Sequence, residues 1–267
     1  MLMRILAATA TAAALMLAGG CAHAVGGTVD VRVTDRATGE TLPTYWHDGK
    51  WWVPGKPGRR YAVALTNRGG GRVLTVVSVD GVNVISGETA APDQAGYVLS
   101  SGQFAQITGW RKDMSRVAAF EFTSLPNSYA ARTGRPDNVG VIGVAVFRER
   151  VRYVPPPAVS KEHQSRNEAA SPPAPAAAAS SDAQGSTEAR RSERAQESRI
   201  GTGHGRSEHS VTRYTDFERA SSSPDEVITI HYDSRENLVA MGVIPSPRTV
   251  PNPFPAAAGF VPDPPRR

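Results

Sequence analysis
A chain of 267 residues with 25 glycines, 21 prolines and one cysteine is long enough for one or two domains, yet it carries too many breakers to be packed core throughout. A single cysteine excludes any intramolecular disulfide, so whatever folds must hold by apolar burial. The net charge of +5 would suit nucleic acid in a cytosolic protein; the amino terminus speaks against that partner and leaves lipid headgroups, lipopolysaccharide or wall polymers as the anions a basic surface would attract.

That terminus places one positive charge, Arg4, before Ile5 to Ala18, an uncharged apolar and small-residue run of roughly 14 residues. This is signal-peptide length and falls short of the roughly 20 apolar residues of a spanning helix. Two exits stand side by side. Leu17-Ala18-Gly19-Gly20-Cys21 resembles the lipobox of bacterial lipoproteins, although Ala18 stands where leucine is usual. The resemblance implies a signal peptide over 1–20, acylation of Cys21 and a lipid tether to a membrane, with Ala22 implying outer-membrane sorting. Ala22-His23-Ala24 is an ordinary A-x-A cleavage site, which would extend the signal to 1–24 and release a free periplasmic protein.

Residues 27–153 read as an all-β domain. Thr28 to Thr34 alternates, with Val29, Val31 and Val33 on one face. Tyr45-Trp46-His47 and Lys50-Trp51-Trp52 flank Asp48-Gly49, a pair suited to a type I′ hairpin turn. Strands follow at Tyr61 to Leu65 and Val73 to Val79, and a second Asp-Gly pair, Asp80-Gly81, leads to a return strand over Val82 to Ile85. Gly96 to Leu99, Phe104 to Trp110, Val117 to Thr123 and Val139 to Phe147 complete about nine strands; the last is apolar throughout apart from glycine and is expected to be central, and Trp110 is a candidate core residue. Short strands without intervening helices predict an antiparallel, immunoglobulin-like β-sandwich.

Composition then shifts. Residues 154–199, with Pro155-Pro156-Pro157, a proline-alanine run from Pro172 to Ala179 and mixed charges after Glu188, bury too little to fold and read as a disordered linker. Residues 200–244 recover order, with a strand at Val227 to Tyr232 and a helix from Ser234 to Met241, capped by Asp233 and stopped by Gly242. This small segment is expected to dock on the sandwich or on a partner. Residues 245–267 form a proline-rich tail.

Catalytic patterns are weak. Gly201-Thr202-Gly203-His204-Gly205 lacks the preceding strand and the Lys-Ser/Thr pair of a phosphate loop and reads as linker. His204, Glu208 and His209 lack the H-E-x-x-H order that sets two ligands and a base on one helical face. No G-x-S-x-G elbow is present. No catalytic residue, metal site or cofactor is therefore assigned. Recognition is the better-supported chemistry. Tyr45, Trp46, Trp51 and Trp52 gather around one turn, where alternation must send some rings outward, and Lys50, Lys56, Arg59 and Arg60 lie near enough to assist an anionic ligand. The loop from Ser124 to Asn138 adds Tyr129, Arg132 and Arg135 as binding candidates.

Val73 to Gly87, Gly109-Trp110-Arg111-Lys112, Ser128 to Pro136 with Asn138 to Phe147, and Gly201 to Gly205 with Arg213 to Tyr232 resemble a family of uncharacterised Gram-negative exported proteins. The resemblance implies export and a shared architecture and carries no activity with it. The reading is thus a non-enzymatic cell-envelope protein that binds an envelope protein or glycan. An envelope hydrolase or metal-dependent enzyme, and a subunit of a secretion or pilus-type assembly that pairs edge strands, are the alternatives.

Overall fold
The structure is a computed structural model that describes residues 25–151 and 199–246. The expected signal peptide, Cys21, almost all of the expected linker and all but the first two residues of the expected proline-rich tail lie outside the described residues.

The described chain is mainly β. Its strands in order are β1 (Val29–Asp35), β2 (Tyr45–His47), β3 (Lys50–Gly55), β4 (Tyr61–Asn67), β5 (Val73–Val79), β6 (Val82–Asn83), β7 (Tyr97–Leu99), β8 (Phe104–Ile107), β9 (Gly109–Arg111), β10 (Arg116–Ser124), β11 (Val141–Arg148), β12 (Ile200–His209) and β13 (Glu226–Ser234). Two short helices join them, α1 (Tyr129–Arg132) and α2 (Arg235–Ala240). Three sheets result, ordered β1-β4-β8, β12-β10-β9 and β2-β3-β13-β11-β5-β6, with β7 also paired to β5.

Both Asp-Gly pairs form the tight turns that their residue types favour. Asp48 and Gly49 have φ of 48° and 73°, Asp80 and Gly81 of 54° and 71°. Two successive positive φ values give the turn a twist that matches the flanking strands, and aspartate and glycine are the residues that tolerate them. β11 is central as its composition predicts, pairing with β5 on one side and β13 on the other.

The wholly antiparallel arrangement is corrected by one pairing: β13 runs parallel to β3, with Ile230 opposite Trp51 and Ser234 opposite Gly55, so the largest sheet is mixed. The segment 200–244, expected to dock as a strand and helix, is instead built into the sheets. β13 fills the place between β3 and β11, and β12 pairs along β10 from Ser124 to Arg116. Alternation in a sequence specifies which face a residue takes but not which strand lies beside it.

Val29, Val31, Val33, Val63, Leu65, Val77, Val79, Ile142, Val144, Phe120 and Tyr232 belong to one buried cluster drawn from all three sheets. Trp110 is within it, 3 % exposed, its ring edge-on to Phe120 at 4.8 Å. The largest sheet is covered on its other face in two places. Leu74, Val76, Ala145 and Phe147 pack with Val98 and Phe217. Further along, Leu238, Val243 and Ile244 pack with Tyr45 and Trp52. α2 is capped one residue later than its sequence predicts: the Ser234 hydroxyl accepts from the Asn237 N–H at 3.1 Å, whereas the Asp233 carboxylate accepts from Ser234 N and Asn237 Nδ2. Gly242, at φ 77°, closes the helix in the left-handed conformation.

Candidate functional site
Strand alternation splits the aromatic hairpin. Trp46 stands opposite Trp51 and Tyr45 opposite Trp52, so each pair shares one face. Tyr45 and Trp52 are half-buried against α2 and the turn after it, and Trp52 packs at 5.0 Å, tilted, against the His231 ring of β13. On the opposite face Trp51 leans on the main core, and Trp46 lies against it at 4.8 Å with 59 % of its surface exposed. Of the cations expected to assist, Arg59 is paired with Asp35 at 2.9 Å and Arg60 with Glu208 at 2.5 Å, while Lys50 and Lys56 remain exposed.

The loop candidates do not converge. The Tyr129 ring packs between Trp110 at 4.9 Å and His204 at 5.5 Å, with its backbone in α1. Arg132 points to solvent at the end of that helix. Arg135 folds back to donate to the Thr133 hydroxyl and the Gly87 carbonyl. The Ser128 hydroxyl caps α1 by accepting from Ala131 N, which explains why a helical turn forms inside a loop rich in breakers.

The glycine run read as linker is the start of β12. A Cβ at Gly201 would come within 2.5 Å of Val139 and 2.6 Å of Ser128, so the missing side chain at this position is what allows the approach. The histidines lie apart: His204 and His209 are exposed on β12 and His231 packs against Trp52. Glu208 is held by Arg36, Arg60 and Arg206, and these cations pull its carboxyl below the usual range against the opposing effect of burial. Among the described residues no group of three or more His, Cys, Asp or Glu side chains could hold a metal ion.

A cleft that the sequence does not announce lies over the outer apolar cluster of the largest sheet. Residues 210–220 form a strap across that face, fixed at one end by Ser210 N donating to Ser115 O at 2.7 Å and at the other by Ala220 N donating to Arg148 O at 2.9 Å. Beneath and beside the strap opens a space of about 640 Å³, lined from residues 93–98, 111–114 and 212–219. Tyr97 forms one wall; Arg111 Nε donates to its hydroxyl at 2.9 Å and the guanidinium lies 5.8 Å from its ring centroid. Burial pushes the Tyr97 phenol up against the pull of Arg111, keeping it neutral and able to donate. Arg219 lies 4.3 Å over the Phe147 ring and gives one N–H to the Gln94 carbonyl. These residues, with Leu74 and Ile85, come from stretches far apart in the chain. The one local signal is the interleaving of Arg213, Tyr214, Phe217 and Arg219, which has no strand or helix period.

No family model, curated protein or solved structure matches this chain. The functional reading therefore rests on its own residues.

Proposed function
We propose that this chain is a non-enzymatic cell-envelope protein: exported, tethered to the outer membrane through an acylated Cys21, and built around an immunoglobulin-like β-sandwich that binds an envelope protein or surface glycan. The observation that carries the binding reading is the Trp46–Trp51 pair, one ring anchored on the core and the other 59 % exposed at a ring separation of 4.8 Å. An indole fixed from behind loses little freedom when a sugar face or an apolar side chain settles on it. Trp46 also sits on β2, a three-residue strand at the edge of the largest sheet among the described residues.

The test has two arms. Intact mass of the mature chain is expected to show a diacylglycerol or triacyl adduct on Cys21; an unmodified chain beginning at Val25 would overturn the tether. Trp46→Ala is expected to keep the wild-type circular dichroism spectrum and to lose capture of envelope proteins or envelope glycans by the immobilised full chain. Undiminished capture by the folded variant would overturn the hairpin as the binding surface.

A further inference from the structure
The cleft under the 210–220 strap is separate from the hairpin and has the composition of a small-molecule site. Its volume of about 640 Å³ suits one small molecule. Apolar atoms of Leu74, Val98 and Phe217 meet there with polar groups suited to sugar hydroxyls, among them the neutral phenol of Tyr97 and the hydroxyl of Thr212. Tyr214, 92 % exposed, stands at the rim as a second ring.

Charge in the cleft is unbalanced in a specific way. Two acids line it. Asp93 is exposed, and Asp113 is committed to its own turn: the Ser115 hydroxyl and N–H and the Arg116 guanidinium hold its carboxyl well below the usual range. Arg111 spends its donors on Tyr97, Asp113 O and the Ser210 carbonyl and hydroxyl. Arg219 does not: its plane is fixed by Phe147 and by one bond to Gln94, and its remaining N–H groups have no partner among the described residues. Lys112 and Arg213 at the rim are likewise exposed and without a bonded partner among the described residues. A guanidinium held flat with unspent donors is pre-organised for two-point bonding to a carboxylate or phosphate, and nearby free cations add attraction for the same group.

We propose that this cleft binds a monosaccharide-sized ring carrying a carboxylate or a phosphate, with Arg219 gripping the oxyanion and Tyr97 contacting the ring. Lys112 and Arg213 raise its affinity by charge from the rim. This site stands independently of the hairpin reading, since no residue is shared.

Isothermal titration of the full chain with glucuronate, glucose 6-phosphate, glucose and inorganic phosphate tests it. One or both charged sugars are expected to bind at least about tenfold more tightly than glucose or phosphate alone, the difference of one charge-assisted bond; the tighter of the two identifies the oxyanion. Arg219→Lys keeps the charge, loses the planar fork, and is expected to weaken the charged sugar about tenfold. Should that variant not fold, the exposed pair Lys112→Ala/Arg213→Ala is expected to weaken the same sugar several-fold and to flatten its salt dependence. Binding of neither charged sugar, equal binding of inorganic phosphate, or unchanged affinity in the folded variants would overturn the proposal.

Discussion

Tyr232 donates its hydroxyl to Asp80 Oδ1 at 2.5 Å across 152 residues of sequence. The same carboxylate accepts from Gly140 N at 3.0 Å and Thr202 N at 2.8 Å, and the Thr202 hydroxyl bridges Tyr232 and Tyr61 at 2.6 Å each. A type I′ turn, the approach to β11, and strands β12, β13 and β4 are thus joined through one buried acid. Burial pushes the Asp80 carboxyl up to about 6, opposed by the Tyr232 hydroxyl and the surrounding N–H groups. Because the folded value lies above the unfolded value of 3.8, the acid's contribution to stability is complete below pH 3.8 and is lost as pH rises through about 6. That shift corresponds to about 3 kcal/mol. Urea unfolding of the wild type and of Asp80→Asn, compared between pH 4 and 7, is expected to show a loss of stability with rising pH that the variant lacks. Parallel pH profiles would refute the assignment.

Removing the donor rather than the acid separates the bond from the charge. Tyr232→Phe leaves Asp80 Oδ1 and the Thr202 hydroxyl each short of a buried partner, a cost of about 1–3 kcal/mol in urea midpoint analysis. Tyr61→Phe breaks only the outer end of the chain and keeps the ring stacked on Phe122 at 4.2 Å, so its cost is expected to be the smaller of the two. A reversed order would mean that the phenol of Tyr61, not that of Tyr232, anchors the network.

Both Asp-Gly turns, the central position of β11 and the burial of Trp110 were legible in the sequence because each follows from local residue types. β12 was not. Its run from Gly201 to Gly205 has no apolar alternation, and its cause is non-local: Val139 and Ser128 occupy the space that a Cβ at Gly201 would need. Gly201→Ala is therefore expected to destabilise by about 1–3 kcal/mol as an overpacked site. Gly203→Ala, whose Cβ meets Thr123 Cγ2 at 3.2 Å and nothing tighter, is expected to change stability far less. Equal thermal shifts for the two would remove the packing explanation.

Alternation splits the hairpin rings between two faces, and the fold decides which pair takes which: Tyr45 and Trp52 face the small cluster, Trp46 and Trp51 the other side. Trp46→Ala gives up a ring that is already mostly in solvent and is expected to cost under about 1 kcal/mol. Trp51→Ala takes away a ring packed on the main core and is expected to cost about 3–5 kcal/mol. If thermal denaturation gave comparable losses, Trp46 would be a structural residue and the recognition reading would lose its basis.

Leu238, Val239 and Met241 are too few to form a core by themselves, and α2 is stabilised by what lies beneath it. Leu238 is fully buried with Val243 and Ile244 against Tyr45 and Trp52, while β13, to which α2 is joined, runs beside β3 in parallel. The carboxyl-terminal helix thereby braces the back of the hairpin whose front carries Trp46. Leu238→Ala is expected to destabilise by about 2–5 kcal/mol. It should also increase amide exchange in β2 and β3 ahead of β1 and β4, since the small cluster opens before the shared core does. Uniform exchange across all four strands would show instead that the hairpin unfolds only with the whole protein, and that α2 has no local hold on it.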